Sequence, residues 1–199
     1  MDGFSSISIG FWRTAEKLRY EAAQQTANQS WQVHWTVHSA ICLYHAALEC
    51  FINEEIALRI ALTNDVPSSG YKVQAKTLCA SKLSESISYC GLAGKDNQKV
   101  TRRVLLLTDL RNRLYHHWPE MRGAHDYPVQ VIAALDDAKI EKVNTTWPAQ
   151  CSDIRLAKWA AEVVREFVAQ WWRIGRHPSA ADLAQWEFGP DWIYPNQST

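Results

Sequence analysis

Along most of this chain apolar residues recur every three to four positions, the spacing of one face of an α-helix. The longest such run begins after Ser30, in "WQVHWTVHSAICLYHAALECFINEEIALRIAL". There Val33, Val37, Ile41, Tyr44, Leu48, Phe51 and Ile56 trace a single apolar face. No Gly or Pro interrupts the chain from Ser30 to Val66, so one long helix is expected, with Asn28 and Ser30 as N-cap types and "TNDVPSSG" ending it. Upstream, Trp12, Ala15, Leu18 and Ala22 predict a helix from about Phe11 to Ala27, preceded by an irregular lead-in over residues 1–10. Downstream, "YKVQAKTLCASKLSESISYC" predicts another helix ending at Gly91, then "GLAGKDN" a loop. "QKVTRRVLLLTDLRNRLYHH" is the next helix, stopped by Trp118-Pro119. Pro119, Gly123, Pro128 and Pro148 break up residues 119–150, where "PVQVIAALDDAKIEKV" fits either a short helix or a strand. A strong helix returns in "SDIRLAKWAAEVVREFVAQWWRIG", with Ser152 or Asp153 as its cap and Gly175 at its end. Residues 176–199 form a C-terminal extension in which "SAADLAQW" has room for one or two helical turns.

These elements predict an all-α fold, an antiparallel helical bundle of four to five main helices joined by short loops, in a single domain over residues 1–199. Ten Trp point to a well-filled core and aromatic-rich surfaces or interfaces. A formal net charge of zero argues against a non-specific nucleic-acid coat and confines any RNA contact to a local basic site. The five Cys are odd in number and form no CxxC, which fits buried free thiols in a reducing cytoplasm. The N-terminal "MDGFSSISIGFW" lacks the basic and apolar regions of a signal peptide, and no apolar run reaches membrane-spanning length, so a cytoplasmic protein without a membrane partner is expected.

The candidate chemistry sits in "DLRNRLYHHWPE", at the end of a helix that begins as core. Arg111, Asn112 and His116 form the pattern R-N-x-x-x-H. His titrates near neutral pH, at about 6.5 unperturbed, so His116 suits a general acid or base. The planar, permanently charged fork of Arg111 matches phosphate oxygens, and Asn112 suits orienting the phosphate or the His. RNA cleavage through the neighbouring 2′-hydroxyl needs these functions. On a regular helix Arg111 shares the face of Val100, Val104, Leu107, Leu114 and Trp118, whereas His116 lies about 140° around the axis. Two routes bring them together: loosening of the helix near Tyr115-His116, or pairing of two chains. The structural alternative is that Arg111 pairs with a carboxylate and His116 caps the helix C-terminus.

With this motif following "LLLTDL", and a long helix containing "HAALECFINE" upstream, the sequence resembles the HEPN superfamily over roughly Ser30 to His117. The superfamily signature is R-x4-6-H, often with a polar residue such as Asn after the Arg. The resemblance implies an all-α, metal-independent endoribonuclease that acts as a homodimer, takes RNA as substrate and needs no cofactor. It further implies a toxin or anti-phage role, with an antitoxin or regulatory protein as partner. Arg111, Asn112 and His116 are the expected catalytic residues. His117 also fits the spacing, Arg113 forms a neighbouring basic face with it, and Tyr115 is placed to stack on a base or to pack. Glu49, within the long Ala-rich helix, is placed to orient Arg111. The alternative function is a non-catalytic HEPN-like module that binds a nucleotide, RNA or protein partner in the same cleft.

Other constellations carry less. His34 and His38 are four apart, as are His45 and Glu49, but no H-E-x-x-H or paired E-x-x-H occurs, so no metal site is expected. The bland reading of these His is helix-to-helix hydrogen bonding. Lys99, Arg102 and Arg103 in "KVTRR" either extend a phosphate-contacting strip or form a solvated face, the latter favoured by the neutral charge. Trp171-Trp172 reads as packing or a dimer surface.

Overall fold

The computed structural model describes residues 6–25, 30–63, 83, 86, 88, 98–115, 126–143, 145–174 and 178–187. The described residues are all-α: α1 (Ile7–Gln24), α2 (Ser30–Thr63), α3 (Gln98–Tyr115), α4 (Val129–Asp137), α5 (Trp147–Gln150), α6 (Ile154–Ile174) and α7 (Ala180–Gln185). Between α2 and α3, Leu83, Ser86 and Ser88 are helical, and Leu83 and Ser86 are buried. The rest of the helix expected over 71–90, and the stop at Trp118-Pro119, lie outside the described residues.

The apolar face of α2 is inside as its spacing requires, with Val37, Ile41, Tyr44 and Leu48 fully buried. α1 starts earlier than periodicity predicts. Ser6 caps it by accepting from the Ile9 N–H, and the Ser6 and Ser8 hydroxyls both donate to Glu54 of α2 at 2.7 Å. Ser8 thereby becomes a buried, satisfied polar residue inside a helix instead of part of a loop. The ambiguous segment after Pro128 is a helix. It ends with Lys139 in the left-handed region, the Ile140 N–H on the Leu135 carbonyl, and Ile140 folded back into the core. Asp153, not Ser152, caps α6, accepting from the Arg155 N–H at 2.9 Å.

Side-chain contacts set the directions of the helices. Ser8 meets Glu54, Glu16 meets Tyr44, and Gln25 meets Thr36, so α1 and α2 are antiparallel. α2 and α6 run in the same sense, because His34 meets Ser152 and Phe51 meets Trp171. α6 is the central element, touching α1, α2 and α3, with Trp159, Val164, Phe167, Trp171 and Trp172 among its buried residues. Trp171 and Trp172 are core packing. Both stack edge-on to Phe51, and Trp186 after α7 closes the cluster with its ring 5.5 Å from Phe51. A capping box of Ser179 and Asp182 starts the short α7 that delivers Trp186.

Arg103 corrects the reading of "KVTRR" as a solvated face. Lys99 and Arg102 are exposed, but Arg103 is buried and donates to Asp137 of α4 at 2.7 Å and to Glu166 of α6. Trp159 donates to the same Asp137 oxygen at 2.6 Å. Burial alone would raise the Asp137 pKa, but the hydrogen bonds from Trp159 and Arg103 outweigh it and hold the carboxyl below its ordinary range. Arg103 is therefore a three-helix tie.

No helix among the described residues is long and apolar enough to cross a membrane. Among the described residues Cys42 and Cys151 are free thiols, and burial pushes the Cys151 thiol up to about 12.

Candidate functional site

The last turns of α3 turn from core to surface. Leu107 and Leu110 are fully buried, Arg111 and Asn112 half-buried, and Arg113 and Tyr115 exposed. The helix stays regular to Tyr115, which sets residues 111 and 115 above one another. The Arg111 guanidinium accordingly lies over the Tyr115 ring, 5.0 Å from its centroid. Arg111 Nη1 also donates to Asn112 Oδ1 at 2.9 Å. Among the described residues no carboxylate pairs with Arg111: its partners are an amide and a phenol ring. Among the described residues the guanidinium is thus oriented by neutral groups only. His116 and His117 lie outside the described residues. Glu49 is half-buried on α2.

Across from α3 stands a stripe of α2 that combines His34, His38, Cys42, His45 and Glu49 at spacings of three and four. His34 and His38 make the helix-to-helix hydrogen bonds expected of them. His34 Nδ1 bonds Ser152 Oγ, and His38 Nε2 lies 3.2 Å from the Pro148 carbonyl and 3.3 Å from Ser152 Oγ. They tie α2 to the α5–α6 turn. Among the described residues no group of three or more His, Cys, Asp or Glu is arranged to hold a metal.

His45 is the deepest of the three histidines, and it too makes the helix-to-helix hydrogen bond expected of it. It is fully buried, and its Nε2 lies 3.2 Å from Thr108 Oγ1 on α3. Burial, and secondarily the charge of Arg111, lower its pKa from 6.5 to about 3, so the ring is neutral at physiological pH. The same Arg111 charge acts on Cys42, whose thiol burial nonetheless holds above its ordinary value. Arg111 therefore faces the Cys42–His45 turn. Thr108 lies before Arg111 on α3 and meets His45, which follows Cys42 on α2, so α2 and α3 are antiparallel. The only signal in the sequence was position: His45 falls on the stripe of His34 and His38, next to the fully apolar face.

Chemically the arrangement offers one oriented guanidinium, without a carboxylate partner among the described residues, with an exposed aromatic residue beside it and a basic residue, Arg113, on the neighbouring face. A guanidinium can pair with a phosphate or other anion, and an exposed ring can stack on a planar group. Comparison of the chain with protein-family models, with curated proteins and with solved structures returns no match.

Proposed function

We propose that this protein is a HEPN-like, metal-independent endoribonuclease that acts as a homodimer in the cytoplasm. The observation that carries the reading is Arg111, half-buried, held by Asn112 and Tyr115, and without a carboxylate among the described residues. A structural arginine at such depth is ordinarily neutralised, as Arg103 is; an arginine oriented by neutral partners is arranged for an outside anion.

In the proposed reaction Arg111 holds the scissile phosphate and stabilises the charge that develops on it. A base removes the 2′-hydroxyl proton, the 2′-oxygen attacks phosphorus, and the 5′-oxygen leaves with a proton, yielding a 2′,3′-cyclic phosphate. His116 is the proton-transfer group, and pairing of two chains sets one motif opposite the other. Tyr115, a 68% exposed residue, supplies a stacking surface for an unpaired base, which favours single-stranded or loop RNA. A toxin or anti-phage role, with an antitoxin as partner, belongs to this reading through the family resemblance.

The test is cleavage of a labelled mixed-sequence RNA in EDTA by the wild-type chain, Arg111→Ala and His116→Ala. Wild-type cleavage is expected, with a loss of about 10³-fold or more in each variant and an unchanged fold and dimer. Cleavage that persists in both variants overturns the mechanism. RNA binding without cleavage by wild type identifies a non-catalytic binding module instead.

A further inference from the structure

The mechanism above leaves the buried imidazole of His45 unused, and its hydrogen bonding is unusual. The Thr108 hydroxyl gives its single proton to the Val104 carbonyl at 2.9 Å, so toward His45 it can only accept. His45 Nε2 must then carry the proton that bridges to Thr108, and Nδ1 is a bare lone pair. Among the described residues Nδ1 has no hydrogen-bond partner, although the side chain is fully buried. Native interiors leave few such acceptors unmade, and each asks for an explanation. Among the described residues the charge that acts on this ring is Arg111, which follows Thr108 by three residues on the same helix. Its five N–H donors exceed what the Asn112 oxygen can take.

We propose that His45 is the positioning residue of Arg111: its Nδ1 is a neutral inner acceptor for a guanidinium N–H, and it fixes Arg111 from the α2 side when a phosphodiester takes the outer edge. The inference rests on the reading of Arg111 as the phosphate contact. A carboxylate at this place would also fix the arginine but would neutralise it, as Asp137 and Glu166 do for Arg103. A neutral imidazole orients the fork and leaves its charge for the substrate.

Side-chain ¹⁵N spectra of His45 in the full-length protein, compared with Arg111→Gln, test the contact without RNA. A bare Nδ1 whose signal moves in Arg111→Gln, or on saturation of the wild type with inorganic phosphate, is expected. A protonated Nδ1, or a signal that ignores both changes, overturns the proposal. Affinity for single-stranded RNA in a His116→Ala background then separates positioning from mere support. Asn at position 45 keeps an acceptor near Nδ1, Asp puts a carboxylate there, and Gln keeps only the Thr108 bond. His45→Asn is expected to hold RNA within about threefold, whereas His45→Asp loses tenfold or more and lowers the salt slope by about 0.7, one phosphate contact. Wild-type-like binding by His45→Gln, together with equal losses in Asn and Asp, assigns His45 a structural role only. A responsive Nδ1 in a chain that binds no RNA keeps the contact and overturns the ribonuclease reading instead. If His45→Asp fails to fold, the ring spectra alone decide.

Discussion

Arg103 and Arg111 lie on the same helix, eight residues apart, and both turn inward from it. Arg103 meets two carboxylates from two other helices, and Trp159 shares one of them. Arg111 meets an amide and a phenol ring. The first arrangement pairs the cation with two carboxylates within the chain and binds α3 to α4 and α6. The second fixes direction without neutralising charge. The contrast separates an arginine held by charged partners from one held, among the described residues, by neutral ones, and it rests on the identity of the partners, since both residues are partly or fully buried.

The sharpest way to break the contrast is to make Arg111 resemble Arg103. Asn112→Asp places a carboxylate where the amide oxygen now accepts from Arg111 at 2.9 Å. The expected result is RNA cleavage about 100-fold slower with no loss of thermal stability, since an ion pair replaces a bond to a neutral amide. Unchanged cleavage would mean that the net charge at this turn is not what the site uses.

Removing the structural arginine should do the reverse. Arg103→Ala leaves Asp137 and Glu166 facing each other's helices without their cation, and both are about one-third exposed, which softens the cost. A destabilisation of about 3 kcal/mol is expected, seen as a lower melting temperature, with cleavage per folded molecule retained well below that temperature. Lost cleavage at full folding would place Arg103 in the site after all.

The pH dependence of stability probes the neutral partner of the second arginine. In the unfolded chain His45 titrates near 6.5, whereas in the fold it stays neutral down to about 3. Its contribution is thus fully present above pH 6.5 and is lost as pH falls toward 3, at on the order of 1 kcal/mol per pH unit. Glu16, Asp137 and Asp153 are held below ordinary values of 4.5, 3.8 and 3.8, so their contributions fade only below about pH 4.5. Between pH 6.5 and 4.5 urea unfolding should therefore show a slope in wild type that is shallower in His45→Asn. Equal slopes would show that the ring is not held neutral.

How much of this was legible in the sequence follows from what periodicity encodes. It reports which face of a helix is apolar, so the bounds of α2, the burial of Ile41, Tyr44 and Leu48, and the inward turn of Arg111 could all be read. It does not report what stands across the gap. Arg103 meets partners 34 and 63 residues away, and Ser6 and Ser8 meet Glu54 48 and 46 residues away, so neither the ion-pair tie nor the true start of α1 was readable locally. Ser152 looked like a cap because Ser caps helices, but its hydroxyl is taken by His34 and His38, and Asp153 does the capping. The neutral state of His45 depends on burial and on a neighbouring helix, neither of which has a local signature. At the motif itself Asn112, expected to orient the phosphate or the His, accepts from Arg111, a contact between adjacent residues that needs no tertiary information.

The finest distinction lies among the exposed cations of α3. Arg113 stands on the turn that carries Arg111 and Tyr115, whereas Arg102 is exposed on the turn that carries Arg103. Neither is buried, so neither change should move folding stability by more than about 0.5 kcal/mol. If RNA lies along the Arg111 end, Arg113 adds one phosphate contact, and Arg113→Ala should weaken RNA binding a few-fold and lower the salt slope by about 0.7 for every sequence tested. Arg102→Ala, about 16 Å further back along the helix axis at 1.5 Å per residue, should change neither. Equal losses in the two variants would spread the RNA contact over the whole helix and remove the reason for treating the Arg111 turn as special. A loss confined to Arg113 would confine the basic site to one turn, as a chain of zero net charge requires.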